Sequence, residues 1–350
     1  LSAVDLRIVR HADERTLVPA TDVEPALRPS SFRDYVGQSE VIANLRGAVR
    51  AAKRGGWQLD HVLLAGPAGT GKTSCAHVIA NELGARCTIT SATAIEHKGA
   101  LASLLTTLAD GDVLFIDEIH ALVRALPETI YSALEDRVID LPAGKRVIRV
   151  PLSKFTLLAA TTHAGMLPKP LRDRFGIVCQ LRTYTIEELA TIVARAAAKL
   201  GIAIDEEGST AIARASRGTP RVANRLLRRV RDIAANAAAD AQHLMGGSEG
   251  RHHDSSTIND ALAVAALAHL GIDEHGLDQL DRAYLGVVAE RPVGIEAICA
   301  ELAQDRSTIE EVVEPHLLQL GFLVRTVRGR VLSPEGREHL SAHYEQGSSG

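Results

Sequence analysis

The chain has no marked excess of either charge: 39 lysines and arginines stand against 43 aspartates and glutamates. Bulk electrostatics therefore announces no nucleic-acid partner, and any surface for one must be local. Cysteine is scarce. Cys75, Cys87, Cys179 and Cys299 stand singly among apolar residues, without the spacing of a metal site or a disulfide framework, and they read as reduced core thiols. Long apolar runs are missing. Stretches such as Val193 to Ala198 fall far short of the roughly 20 residues of a membrane helix, and the first residues mix acids with bases where a signal peptide carries an apolar run. The expectation is a cytoplasmic protein with no membrane segment. At 350 residues it should hold two or three domains, because a single core seldom grows past about 250 to 300 residues.

What the chain does contain is a phosphate loop. Residues 66–73 read Gly-Pro-Ala-Gly-Thr-Gly-Lys-Thr, directly after the apolar run His61-Val62-Leu63-Leu64-Ala65. This is the strand, glycine-rich turn and helix start that holds a nucleoside triphosphate. Gly66, Gly69 and Gly71 let backbone N–H groups face phosphates, Lys72 reaches the β- and γ-phosphates, and the Thr73 hydroxyl is a ligand for Mg²⁺. Ser74, next in the same turn, joins the nucleotide-binding set. About forty residues on, Val113-Leu114-Phe115-Ile116 reads as a strand buried on both faces, and it ends in Asp117-Glu118. Ligands of an open parallel sheet lie beyond the carboxyl ends of its strands. Asp117 is thereby the candidate metal carboxylate and Glu118 the group that polarises the attacking water. His120 reads as structure rather than chemistry.

Four regions follow one another. Residues 1–26 are polar, lack periodicity and contain Pro19 and Pro25, and are expected to form a flexible arm. In 27–183, strand-like runs at Val62, Cys87, Val113 and Phe155 alternate with helical segments, the pattern of a parallel sheet wrapped by helices. Thr185 and Glu188 are spaced as a capping box and open a helical region, 184–272. It is interrupted at 245–256 by a Gly/Ser/His-rich stretch containing His252 and His253, read as a solvated loop. From 273 to 345, helical patterns centred on Leu285, Ile298 and Val313, the last opened by Ser307 with Glu310, precede two short strands around Val327-Arg328-Gly329. Three helices and a ribbon make a winged helix. Arg325, Arg328 and Arg330 gather on that ribbon, which suits contact with DNA phosphates, and a wing that docks on protein is the alternative. Residues 346–350 are expected to be a disordered tail.

The segments Leu27-Arg28-Pro29, Asp34-Tyr35-Val36-Gly37-Gln38, Leu59 to Leu64, Asp112 to His120, Pro170-Leu171-Arg172-Asp173-Arg174-Phe175-Gly176, Arg217 to Asp232, and Gly321-Phe322-Leu323 with Arg328-Gly329-Arg330 stand out beside these motifs. Together, over about Leu27 to Leu340, they resemble the RuvB family, the AAA+ motors of Holliday-junction branch migration. The resemblance implies an α/β AAA+ P-loop ATPase domain, an α-helical lid and a C-terminal winged helix, with ATP and Mg²⁺ as cofactors. It further implies Thr162 as sensor of the γ-phosphate and Arg174 as the finger that reaches a neighbour's ATP. Arg221 would contact nucleotide from the lid, Leu27, Arg28 and Tyr184 would lie around the adenine, and Glu135-Asp136 near the nucleotide at a subunit boundary. Arg306, Arg325 and Arg330 would contact DNA. A homo-hexameric ring acting on branched duplex DNA follows from the same resemblance.

The chain departs from the family in places. Ala121 and His163 stand where arginine is common, and the loop reads Pro-Ala-Gly-Thr where Pro-Pro-Gly-Leu is usual. Ile139 to Val150 is shorter than the family's hairpin that docks on RuvA, and its tip is Pro142-Ala-Gly-Lys-Arg146. A RuvA-like junction-binding partner is thus the least supported implication. Two other readings stay open: a nucleotide-switched initiator-type AAA+ protein that assembles on DNA, and a clamp-loader-like subunit acting on another protein.

Overall fold

A computed structural model describes residues 26–143, 146–244 and 257–347. The expected N-terminal arm, but for Ala26, lies outside these residues, as do the Gly/Ser/His stretch and residues 348–350. The chain divides into two compact units, one comprising the residues up to Glu188 with Thr219–Arg221, the other Leu189–Gly218 and the chain from Val222.

The first unit is built on a five-stranded sheet in the order β2-β3-β6-β1-β7. Its strands are β1 (Val62–Ala65), β2 (Cys87–Ser91), β3 (Val113–Asp117), β6 (Thr156–Thr161) and β7 (Ile177–Gln180), all paired in parallel. Helix α1 (Ser39–Gly55) precedes β1, and α2 (Lys72–Leu83) starts at the end of the phosphate loop. Successive side chains of a strand face opposite ways, which explains the unbroken apolar runs. On β3, Leu114 and Ile116 enter one core with Leu101, Leu105 and Ile119. Val113 and Phe115 enter the other, with Leu45, Val49 and Ile79. A sheet covered on both faces leaves its functional chemistry to the strand ends.

One strand of this unit goes beyond the sequence expectation. β7 is an added edge strand of only four residues, with Val178 exposed; it is too short and too mixed in polarity to register as a strand in the sequence. Where the hairpin is expected, β4 (Val138–Ala143) pairs with β5 (Arg146–Pro151), antiparallel from Val138↔Pro151 to Ala143↔Arg146. Arg149 pairs with Asp140 across it, Nε to Oδ1 at 2.9 Å.

The second unit contains the helical region, apart from its first residues up to Glu188 and Thr219–Arg221, and the C-terminal domain. The capping box is formed at the entrance to α3 (Ile186–Leu200), where the Glu188 N–H donates to Thr185 Oγ1 at 3.2 Å and the Thr185 N–H donates to Glu188 Oε2 at 3.0 Å. α3, α4 (Glu206–Arg214), α5 (Pro220–Leu244) and α6 (Asp260–His269) make up the helical region. α7 (Gln279–Val287), α8 (Ile295–Leu302) and α9 (Glu314–Gln319) surround the last core with the ribbon of β8 (Leu323–Thr326) and β9 (Gly329–Leu332). That core includes Tyr284, Leu285, Ile298, Val313, Leu317 and Leu332.

The third helical pattern starts differently from the Ser307–Glu310 expectation. Asp305 is the cap, accepting from the Thr308 N–H at 2.8 Å, and the Ser307 hydroxyl donates to the same carboxylate. A carboxylate at the cap both satisfies an orphan N–H and faces the positive end of the helix. These bonds hold the Asp305 carboxyl down at about 2. A final helix, α10 (Pro334–Gly347), follows the ribbon and was not anticipated.

Candidate functional site

β1, β6 and β3 are neighbours in the sheet, so the phosphate loop after β1, Thr162 after β6 and Asp117 at the end of β3 converge at one edge. The glycines of the loop are required by contact as well as by conformation. A Cβ on Gly66 would lie 2.5 Å from the Leu181 carbonyl oxygen, and one on Gly71 2.7 Å from Tyr35 Oη; both residues have positive φ, 148° and 95°. The loop therefore accepts no side chain at either point.

Lys72 is 7% exposed. Its Nζ donates to the Gly66 carbonyl at 2.7 Å and the Pro67 carbonyl at 2.9 Å. Burial lowers its pKa, partly offset by the charges of Glu118 and Asp117. No carboxylate among the described residues lies within ion-pair distance of this ammonium. A buried cation satisfied only by carbonyls fits a site for an anion such as a phosphate. Asp117 accepts from the Glu118 N–H at 3.1 Å, and burial, followed by the neighbouring Glu118 charge, raises its pKa. Thr73 and Ser74 lie half-buried in the first turn of α2. Thr219 and Arg221 belong to this unit, and a Cβ on Gly69 would meet Arg221 Cβ at 3.3 Å.

Glu118 occupies the left-handed region, φ 51° and ψ 48°, at the start of the helix Ile119–Ala125. For a non-glycine residue this backbone is strained, and such strain gathers at functional sites. Its carboxylate meets Thr162: the Thr162 N–H donates to Oε2 at 3.0 Å, and Thr162 Oγ1 lies 3.1 and 3.0 Å from the two carboxylate oxygens. His120 Nδ1 is 3.2 Å from Glu118 Oε2.

Other expected residues are distributed around this centre. Tyr184 Oη donates to the Thr70 carbonyl at 3.2 Å, placing it against the phosphate loop. Arg28 Nη1 lies 2.8 Å from His77 Nε2 on α2, and Leu27 is half-buried beside it. Arg174 hydrogen-bonds Glu135 and the Pro170 carbonyl and lies 5.0 Å over the Tyr131 ring, whereas Asp136 is exposed at the helix end.

The segment Asp34 to Gln38 carried no assigned role in the sequence, yet it supports the site. Tyr35 Oη donates to the Gly71 carbonyl at 3.2 Å, and Gln38 exchanges hydrogen bonds with the Arg182 backbone, at 2.7 and 3.2 Å. The juxtaposed Tyr35 and Gln38 could be found only as a motif beside the loop, since their contacts are remote in sequence.

On the wing the structure changes the picture of the arginines. Glu314 is fully buried and receives Arg330 Nε at 2.8 Å, Arg325 Nε at 2.7 Å and Tyr284 Oη at 2.8 Å. Arg330 also meets Glu310 at 3.0 Å, and Arg306 meets Glu310 at 2.9 Å. Three of the four expected DNA contacts are thus charge-paired inside their own domain. Arg328, exposed at the turn, pairs with no acid among the described residues. Arg330→Ala should accordingly lower the stability of the C-terminal domain by about 3–5 kcal/mol, because Glu314 would lose its main buried counter-charge. Arg328→Ala should leave its melting temperature unchanged. Thermal unfolding by circular dichroism distinguishes the two, and equal melting temperatures would refute the pairing argument.

A parallel sheet with helices on both faces, a phosphate loop after β1 and a carboxylate pair after β3, together with a helical region and a winged helix, define a nucleotide-binding P-loop protein of the AAA+ class. Family models match in succession: the Holliday junction DNA helicase RuvB P-loop domain over residues 27–181, the RuvB AAA lid domain over 184–243 and the RuvB C-terminal winged helix domain over 274–341. The chain belongs to the RuvB family. It is similar to the solved Thermotoga maritima RuvB Holliday junction branch migration motor at 42% identity, covering 90% of this chain and 98% of that one, with a TM-score of 0.77. A point variant of the same Thermotoga protein matches at 43% identity with the same coverage and a TM-score of 0.78. The FIGL-1 AAA domain in complex with ADP, at 16% identity over 85% of this chain and 99% of that one, has a TM-score of 0.52, a likeness of fold alone.

Proposed function

We propose that the chain is an ATP-hydrolysing motor that moves Holliday-junction DNA. The observation that carries this reading is the contact between the Glu118 carboxylate and Thr162 beside Lys72 and Asp117, within a chain of the RuvB family. Lys72 and the loop N–H groups bind the phosphates, and Arg221 approaches them from the start of α5. Glu118 orients and polarises water. Thr162, bonded to that carboxylate, couples its position to the γ-phosphate. Thr73 and Asp117 would hold Mg²⁺, which supplies neutralisation of phosphate charge. Leu27, Arg28 and Tyr184 flank the base, and Ser74 joins the loop in the phosphate subsite.

Arg174, with Glu135 and Asp136 near it, acts on a neighbour's nucleotide, so each active site is completed by a second subunit and the working form is a ring, a hexamer by family. A finger in trans makes hydrolysis depend on assembly. Arg328 supplies the most accessible phosphate contact on the wing; Arg306, Arg325 and Arg330 meet DNA with the guanidinium edges turned away from their acidic partners, so that no buried pair has to open. Replacing Arg328 by alanine should lower the slope of log affinity against log salt by about 0.9. Labelled four-way junction DNA tests the whole reading: ATP-dependent separation of its arms, with turnover stimulated by the junction, supports a motor. Slow DNA-insensitive turnover would favour an initiator-type switch.

A junction-binding partner of the RuvA kind would dock on the β4–β5 hairpin. Val147 and Ile148 on β5 are 68% and 54% exposed and, as successive residues of a strand, lie on opposite faces of the hairpin, so each face keeps an exposed apolar side chain despite the shortening seen in the sequence. Val147→Ser with Ile148→Ser should weaken partner binding by about 3 kcal/mol, on the order of 100-fold, through lost apolar burial. Titration calorimetry against a RuvA-type protein measures it, and an unchanged affinity assigns docking to another surface.

A further inference from the structure

Glu118, His120 and His163 form the one group of at least three histidine, cysteine or acidic side chains among the described residues that is close enough to share a cation, with ligand atoms all within 4.8 Å of one another. We propose that this group is a binding site for a borderline transition-metal dication, with Zn²⁺ as its representative, separate from the oxygen site of Thr73 and Asp117.

The ligand set decides the class of ion. Two imidazoles and a carboxylate suit zinc and its first-row neighbours, whereas Mg²⁺ prefers oxygen ligands and keeps much of its water. Zinc bonds of about 2.0–2.2 Å set neighbouring ligands of a tetrahedron roughly 3.3 Å apart. The His120 Nδ1 to Glu118 Oε2 edge, at 3.2 Å, already has that spacing. The two rings lie edge to face with centroids 5.0 Å apart, and with all ligand atoms within 4.8 Å of one another the other two edges need to close by no more than about 1.5 Å to reach the tetrahedral spacing. Thr162 Oγ1, 2.9 Å from His163 Nδ1, leaves the other ring nitrogen of His163 for the ion, as the partners of metal-binding histidines do; Thr161 Oγ1, 3.1 Å from His120 Nδ1, would be displaced by an ion at that nitrogen. All three side chains are half-buried, which leaves a route of entry and a position for water.

The bound ion would hold the carboxylate of Glu118. On the hydrolytic reading above, it would then slow turnover without displacing nucleotide, because Lys72 and the loop are untouched.

The test uses Co²⁺ as the spectroscopic probe, added to the full chain without nucleotide. Wild-type protein should develop a visible absorption band saturating near one equivalent at micromolar concentration and bleached by Zn²⁺. His163→Asn and His120→Asn, shown to be folded by circular dichroism, should each bind at least about tenfold more weakly. Saturating Zn²⁺ should reduce the ATPase rate of wild type under excess Mg²⁺, and should leave His163→Asn at its own zinc-free rate. No Co²⁺ band, or titrations identical in wild type and both variants, would overturn the site and place any binding elsewhere, for example at His252 and His253. Wild-type turnover unmoved by saturating Zn²⁺ would overturn the inhibitory effect. Co²⁺ binding as expected in a protein that hydrolyses no ATP would support the site and overturn the hydrolytic reading instead.

Discussion

Glu118→Gln is expected to bind ATP with nearly wild-type affinity and to hydrolyse it about 10²- to 10⁴-fold more slowly, the usual contribution of a positioned general base. Glutamine has the same shape, and its amide oxygen can still accept from the Thr162 N–H that meets Glu118 Oε2 at 3.0 Å. Only the ability to polarise water is lost. Lys72→Ala should behave in the opposite sense. It removes the buried ammonium beside the loop carbonyls, and charge-assisted hydrogen bonds of about 1.5–3 kcal/mol correspond to affinity losses of roughly 10- to 100-fold. Fluorescent nucleotide titration and steady-state phosphate release separate the two quantities. Near-normal turnover by Glu118→Gln would transfer the role of base to another residue.

Arg174→Ala should cost about 10³- to 10⁵-fold in turnover if it serves as a finger in trans. In the single chain this guanidinium is held by Glu135 and lies over Tyr131, a pose that leaves it partly shielded. Mixing Arg174→Ala with Glu118→Gln should restore part of the activity, because some boundaries then pair an intact Glu118 with a neighbour's intact Arg174. The conservative Glu135→Gln should have a far smaller effect, since it alters a partner and leaves the arginine in place. Absence of rescue, with subunit exchange shown by fluorescence transfer, would make Arg174 a structural residue of its own chain.

The nucleotide-binding fold is legible in the sequence for a physical reason. The phosphate loop requires glycine at positions adjacent along the chain, and a strand covered on both faces requires an unbroken apolar run, so the residues near Gly66 and Val113 carry their structural meaning locally. Helix entrances are mixed. Thr185 and Glu188 form the expected box, but Asp305 rather than Ser307 caps the helical run of the C-terminal domain. Both candidates are good caps, and the path of the preceding chain chooses between them. The helix Pro334–Gly347 has a weak apolar pattern and left little trace.

By itself the sequence determined four of the five strands of the sheet, the nucleotide-binding loop and the pair of carboxyl groups at the end of β3, because each depends on neighbours in the chain. Only the tertiary structure decided which charges remain available. Glu314 is distant in sequence from Tyr284 yet receives its hydroxyl, and it takes Arg325 and Arg330 from the wing. Likewise Thr162 and His163 come to Glu118 and His120 only because β6 lies beside β3 in the sheet. Burial makes an unpaired charge costly and a paired one nearly invisible from outside, so the role of an ionisable side chain follows from what folding brings to it.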